Sequence, residues 1–295
     1  MPSLSHIIRF IRRHPFNAHN QWAGVARFIR LQIENKIFTG LRPKPFTQKT
    51  KLWMGKGSEG GNANYYCGLV DLEQMSFLLH FLKPEDLFVD VGANIGAYTI
   101  LASGEIGAKS ISFEPAPATY QMLCNNISLN NIESKTSALN VIAGGEEGII
   151  KFTVSLNSSY NHVATDAETN IATADISINT LDNILTAVPA LIKIDVEGYE
   201  TEVINGAEKT LHNKKLQAII IELNGSGARY GYDDNLVHSK IMKAGFKPYT
   251  YNYKTRELIE IASKRGHDTI YIRDIAFANE RVKSAGKIKV HTQYI

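Results

Sequence analysis

From residue 87 onward, short apolar runs alternate with longer amphipathic stretches. The runs are "LFVDV" from Leu87, "KSISFEP" from Lys109, "SALNVIAG" from Ser137, "LIKIDV" from Leu191 and "QAIIIEL" from Gln217. Continuous apolar runs of this length fit strands buried on both faces. Between them lie "AYTILASGEIG", "TYQMLCNNISLN" and "ETEVINGAEKTLHN", which carry helical spacing. Strands alternating with helices predict an α/β fold with a mainly parallel sheet. Upstream, "DLEQMSFLLHFLKPEDL" predicts an amphipathic helix that stops before Pro84. It places Met75, Phe77, Leu78 and Phe81 in the core and His80 as a satisfied helix histidine.

Three stretches depart from this rhythm. "GIIKFTVSL" and "ADISINTL" read as strands joined by the polar "NSSYNHVATDAETNIAT". That predicts a β-hairpin or an inserted lid over the ligand edge of the sheet. "AGFKPYTYNY", "RELIEI" and "DTIYIRD" predict an antiparallel finish. "KGSEGGNANYYCGL", residues 56–69, reads as a turn-rich segment with a structural role, its Tyr65 and Tyr66 packing or lining an entrance.

Composition narrows the class. The chain has 295 residues, 44% hydrophobic and 21% charged, enough for one large globular domain plus additions. Cys67 and Cys124 form no metal or redox spacing, so a disulfide framework is not expected and a reducing, cytoplasmic setting fits. The sequons at Asn126, Asn157 and Asn224 carry no meaning there. No apolar run reaches the roughly 18 residues of a membrane span. The start "MPSLSHIIRFIRRHPFNAHN" has arginines within its apolar part and makes a poor secretory signal; a mitochondrial presequence is a weaker reading.

Charge divides the chain. Residues 1–56 hold eleven Lys or Arg against one acid, Glu34, for a net +10, and the remainder carries −7. Trp22, Val25, Phe28, Ile29 and Ile33 fall near helical spacing with Arg27 and Arg30 among them. The boundaries expected are a basic, partly helical extension over 1–60 and a catalytic domain over 61–295. The extension reads either as a cap with a solvated basic face or, through residues 1–35, as a peripheral contact for an anionic membrane or another partner.

The chemistry starts at "LFVDVGANIGAYT". Asp90 ends the first core strand, and Gly92 and Gly96 allow a tight turn and a close approach to ligand. A dinucleotide fingerprint would read G-x-G-x-x-G. Here Asn94 stands in the middle and the spacing differs, and an acid aimed at the turn suits a cationic ligand better than a phosphate. Glu114, at the end of the second strand, suits the two hydroxyls of a ribose. Together the two motifs favour S-adenosylmethionine, with its sulfonium and ammonium groups, over NAD.

With these residues in view, the chain resembles the FkbM family of S-adenosylmethionine-dependent methyltransferases. "DLFVDVGANIGAYTILAS", "FEPAPATYQMLCNNISLN", "INTLDNIL", "LIKIDVEGYETEVINGA" and "IIIELN" follow in the family's order between about residues 62 and 274. The resemblance implies a class I methyltransferase (Rossmann-like) fold, a seven-stranded sheet flanked by helices with its last strand antiparallel. It also implies O-methylation of natural products, sugars, glycolipids or polysaccharides. By the same resemblance Asp90, Gly92, Asn94 and Gly96 surround the amino-acid end of the cofactor. Glu114 takes the ribose, Pro115, Ala116 and Ala143 border the adenine, and Asp195 faces the transferred methyl. Glu197 and Gly198 lie at the border with the acceptor.

A hydroxyl is a weak nucleophile and profits from a base or a metal. The candidate bases are His162, Asp195, Glu197 and Glu222. "NGSGARYGYDD" after Glu222, with Arg229, Tyr230 and Tyr232, is expected to border the acceptor pocket. A divalent cation on Asp195, Glu197 and Glu222 is a minority reading. The sequence carries no metal motif. The alternatives are an NAD-linked oxidoreductase and a noncatalytic cofactor-binding module that docks through its basic arm. With no nucleic-acid module in the core, a nucleic-acid acceptor is not favoured. The sequence does not fix the oligomeric state.

Overall fold

A computed structural model describes residues 3–56, 58–154, 161–165, 168 and 171–295. Two helices, Leu4–Arg13 and Gln21–Ile37, open the chain, and a small hairpin of β1 (Arg42–Pro45) and β2 (Lys51–Met54) follows. Helices Glu59–Cys67 and Leu72–Phe81 then lead into β3 (Leu87–Val91). β4 (Lys109–Phe113) and β5 (Thr136–Leu139) come next, then β6 (Ile142–Ala143), β7 (Gly148–Thr153) and β8 (Thr173–Asn179). β9 (Leu191–Ile194), β10 (Ala218–Glu222), β11 (Lys247–Asn252), β12 (Glu257–Glu260) and β13 (Asp268–Ile272) complete the core. β14 (Lys289–Val290) pairs with β15 (Gln293–Tyr294) near the end.

The main sheet runs β12-β11-β13-β10-β9-β3-β4-β5. Five strands are parallel, and β13 enters antiparallel between β10 and β11. Alternation along the strands divides the core. Phe88 and Ile220 join Phe77, Phe81 and Leu101 on one face. Val89, Ile192, Ile219 and Tyr271 join Val203 and Leu211 on the other. Both faces are covered, which explains why "LIKI" and "AIII" read as unbroken apolar runs.

Two expectations need correction. The sheet has eight strands among the described residues, because "RELIEI" folds back on β11 as the exposed edge strand β12. Its outward Glu257 and Glu260 are ordinary edge protection. The segment at 56–69 is mostly helical instead of turn-rich. Gly61 explains this: an added Cβ would lie 2.7 Å from Ser58 Oγ and 3.0 Å from Ile95 Cδ1. The glycine lets the helix lie against the turn after β3, which outweighs the cost of about 1 kcal/mol for a glycine in a helix.

The hairpin over 148–179 is present, with β7 antiparallel to β8 and β6 parallel to it. Much of the connecting stretch, including Asn157, lies outside the described residues. The first 60 residues share the main core: Phe16, Leu31, Phe46 and Leu52 pack in the same cluster as Phe77 and Leu123. Cys67 and Cys124 are free thiols. No described helix is long and apolar enough to cross a membrane.

Candidate active site

The chain runs outward from β3 through β4 to β5, then returns to lay β9 on the other side of β3. The loops after β3 and β9 therefore part at a topological switch point, where open α/β sheets form their ligand crevice. A cavity opens there. Its walls include Gly92, Asn94, Glu114, Pro115, Ala143, Asp195 and Glu197. Gly92 has φ +77, and a Cβ on it would fall 1.8 Å from Asp195 O. Only glycine allows the two loops to meet this closely. Gly96, at φ +90, closes the turn against Leu123.

Glu114 is buried and accepts two backbone N–H bonds, from Asn94 and Ala116, each 2.9 Å. Burial nevertheless raises its pKa to about 7. Asp90 is fully buried one layer behind the cavity wall. Its Oδ2 accepts from the Thr99 amide at 3.1 Å and the Thr99 hydroxyl at 2.7 Å, while Oδ1 has no hydrogen-bond partner.

Lys193 is the electrostatic centre. Strand register sets it beside Asp90. Its ammonium donates to Asp195 Oδ2 at 2.9 Å and sits 5.0 Å from the centre of the Tyr98 ring. Burial alone would depress its pKa, but Asp195 and Asp90 raise it, so the ammonium is held firmly charged. Six further carboxyl groups lie within its influence: Asp71, Asp90, Glu114, Glu197, Glu222 and Asp268. Burial pushes the pKa of each upward, and Lys193 partly offsets it in every case. Among the described residues Lys193 is the one buried Lys or Arg beside these acids, and their raised proton affinities reflect how little positive charge surrounds them.

The candidate bases occupy different layers. Asp195 and Glu197 line the cavity. Glu197 takes φ +55 on the turn, and burial followed by the Asp195 charge raises its pKa. The buried Glu200 accepts from the Val196 and Gly198 amides and so holds that turn. Glu222 is half-buried opposite Asp268 and does not line the cavity; burial and Asp195 raise its pKa. His162 sits in the roof. Its neighbours Asn161 and Val163 line the cavity, whereas its own Nε2 meets Glu168 Oε1 at 2.8 Å.

The loop after β10 supports the roof. Tyr230 donates to Val163 O at 2.7 Å and packs on Tyr199, and Arg229 reaches Glu197 O at 3.4 Å. Among the described residues no three His, Cys, Asp or Glu side chains gather as a metal-holding set, Asp195, Glu197 and Glu222 included. Sequence reasoning missed Asp71, Tyr98 and Lys193. Tyr98 donates to Asp71 Oδ2 at 3.1 Å, and both line the cavity. A lysine inside the apolar "LIKI" was the available signal, since a buried charge needs a partner.

Residues 90–248 match the model of the methyltransferase FkbM domain. "Methyltransferase 1" of Beauveria bassiana is 28% identical over 182 residues, covering 53% of this chain and 72% of the relative. The hexuronic acid methyltransferase AglP of Haloferax volcanii is 27% identical over 150 residues, covering 50% of this chain and 59% of the relative. A crystal structure of an FkbM methyltransferase from Methylobacillus flagellatus aligns with TM-score 0.45 and 16% identity, over 85% of this chain and 60% of that one.

Proposed function

The chain belongs to the FkbM methyltransferase family, and from that premise we propose that it moves a methyl group from S-adenosylmethionine to a hydroxyl oxygen. The acceptor class is a sugar, glycolipid, polysaccharide or other natural product, and the hexuronic acid methyltransferase among the relatives supports the sugar class. Family membership sets aside the NAD-linked oxidoreductase. The observation that carries the reading is that four acids, Asp71, Glu114, Asp195 and Glu197, line the switch-point cavity against Lys193, the one Lys or Arg among its described lining residues.

The residues present fit this cofactor. The Gly92 turn is a cradle that a side chain would fill, and the buried Glu114 carboxyl stands on the cavity wall. Gly92, Asn94 and Gly96 would hold the amino-acid end, Glu114 the ribose, and Pro115 and Ala143 the adenine. When bound, S-adenosylmethionine supplies an electrophilic methyl carbon on a sulfonium leaving group.

The chain's own part is to orient a hydroxyl and receive its proton. Asp195 and Glu197 are the acids that reach the cavity at the end of β9. Asp195 is already engaged by the Lys193 ammonium at 2.9 Å. Glu197 has no such cation in contact with its carboxyl among the described residues, and burial and the negative Asp195 raise its proton affinity. We therefore assign the proton to Glu197. His162, whose positive form favours the Glu197 carboxylate, acts as a positioning residue from the roof.

The test is calorimetric titration with S-adenosylmethionine, S-adenosylhomocysteine and NAD in parallel. The two sulfur compounds should bind and NAD should not. Binding of NAD alone, or of none of the three, would overturn the cofactor assignment.

A further inference from the structure

The helix Gln21–Ile37 has two apolar faces. One is conventional: Gly24, Val25, Phe28 and Leu31 are buried against the body. The other faces solvent. Trp22, Ala26, Ile29, Ile33 and Ile37 advance by four, three, four and four residues, which keeps them on one stripe. All five are exposed, Trp22 at 65% and Ile37 at 66%. Phe38 continues the stripe past the helix end, also exposed. Single exposed apolar residues are ordinary, but an ordered row of them marks a contact surface.

The surroundings of this stripe are basic. Arg9, Arg12 and Arg13, on the helix Leu4–Arg13, line a cleft together with Ser5 and Gln21. Arg12 joins cleft and stripe: its Nε donates to Gln21 Oε1 at 3.2 Å and its guanidinium lies 5.0 Å from the Trp22 ring centre. Exposed Arg30 and Lys36 flank the stripe further along. Glu34, the one acid in this segment, is neutralised by Arg30, Arg42 and Lys44.

The arrangement is also rigid. Ile11, Val25, Phe28 and Cys67 form a cluster of their own. Asn17 donates to Ile11 O and Tyr66 O, each 3.0 Å, and Arg27 donates to Asn17 Oδ1 at 2.8 Å and Tyr66 O at 3.1 Å. The two helices are therefore bolted to the body as a platform, with apolar groups, an interfacial tryptophan and arginines presented together.

We propose that this platform docks on an anionic lipid bilayer, with the Trp22–Ile37 stripe entering the headgroup boundary and the arginine cleft holding lipid phosphates. The charge pattern selects this occupant. A second copy of the chain would bring the same arginines against these. A neutral apolar partner would leave the cleft unanswered. An anionic interface satisfies both halves at once.

The test is cosedimentation of the full-length protein with vesicles of phosphatidylcholine alone or mixed with phosphatidylglycerol. Binding is expected only to the mixed vesicles, and should weaken as salt rises from ~0.05 to ~0.5 M. Arg9→Gln and Arg13→Gln should each lower partitioning about fivefold. The exposed pair Ile29→Ser/Ile33→Ser should lower it further without moving the thermal midpoint, which checks that the fold is kept. Failure to bind, or equal binding to neutral vesicles, would overturn the proposal. So would a dimer in light scattering that the isoleucine pair converts to a monomer while vesicle binding is absent.

Discussion

The cavity at the end of β3 and β9 and the platform at 4–38 use charge in opposite ways. In the cavity, a buried ammonium meets a half-buried carboxylate. Lys193 is 5% exposed and touches Asp195 at 2.9 Å. Little solvent lies between such groups, so their effect is short-ranged, resists salt and appears as shifted proton affinities. On the platform, Arg9 and Arg13 are exposed charges of one sign, with no hydrogen bond or ion pair to described residues. Such charges do little for stability and are screened within about 10 Å at moderate salt. On the proposal above, what they provide is attraction to an anionic surface that comes within that distance. The chain's net +3 hides this division, because +10 and −7 lie in different places.

The largest expected break between the two regions is Glu197→Gln. If Glu197 receives the acceptor's proton, the single-turnover rate should fall about 10²–10⁴-fold, with cofactor affinity and vesicle binding close to the parent's. An unchanged rate would remove Glu197 from the mechanism. His162→Ala should cost less than Glu197→Gln, since its ring is engaged by Glu168 behind the lining residues. The reverse order of effects would make His162 the base. Next in size is Gly92→Ala. A methyl 1.8 Å from Asp195 O, at φ +77, forces the two loops apart. We expect a loss of about 3 kcal/mol, read by denaturant unfolding, together with loss of cofactor binding. A well-folded variant with full affinity would show that the loop contact is not needed.

Much of this was legible in the chain. The α/β alternation, the Gly92–Gly96 turn, Glu114 and the hairpin over β7 and β8 follow from local pattern, because each depends on neighbours in sequence. Asp71 and Tyr98 did not. Their meeting depends on the helix after Asp71 lying across the turn after β3, a tertiary fact with no local signature. Lys193 was partly visible as a charge in an apolar strand, with Asp195 two residues further on, but its neighbour Asp90 needed the β3–β9 register. The helical form of 59–67 was hidden for a related reason. Its Gly61 looks like a turn residue until Ser58 and Ile95 are seen to require it. The second apolar face of Gln21–Ile37 was also obscure, since a sequence alone does not say which face the body covers.

The smallest expected effect is a pH dependence, and it separates the two regions without any mutation. Glu114, Glu200 and Asp268 have pKa values raised by burial to about 7, from ordinary values of 4.5, 4.5 and 3.8. Between those limits the folded protein binds more protons than the unfolded chain. Stability therefore decreases as pH rises. Their contribution is fully present below about pH 4 and lost as pH passes about 7. Without cofactor, the thermal midpoint should fall by several degrees across that window. A cation entering the cavity stabilises the ionised acids, so the preference for S-adenosylmethionine over S-adenosylhomocysteine should grow as pH rises. The platform should not follow, because guanidinium groups remain charged throughout this range. Calorimetric affinities for the two compounds, taken at intervals from about pH 5 to about pH 8, decide the matter. A ratio that stays flat while the midpoint falls would mean that the acids near Lys193 do not face the sulfonium. The cationic end of the cofactor would then have to be held by other residues.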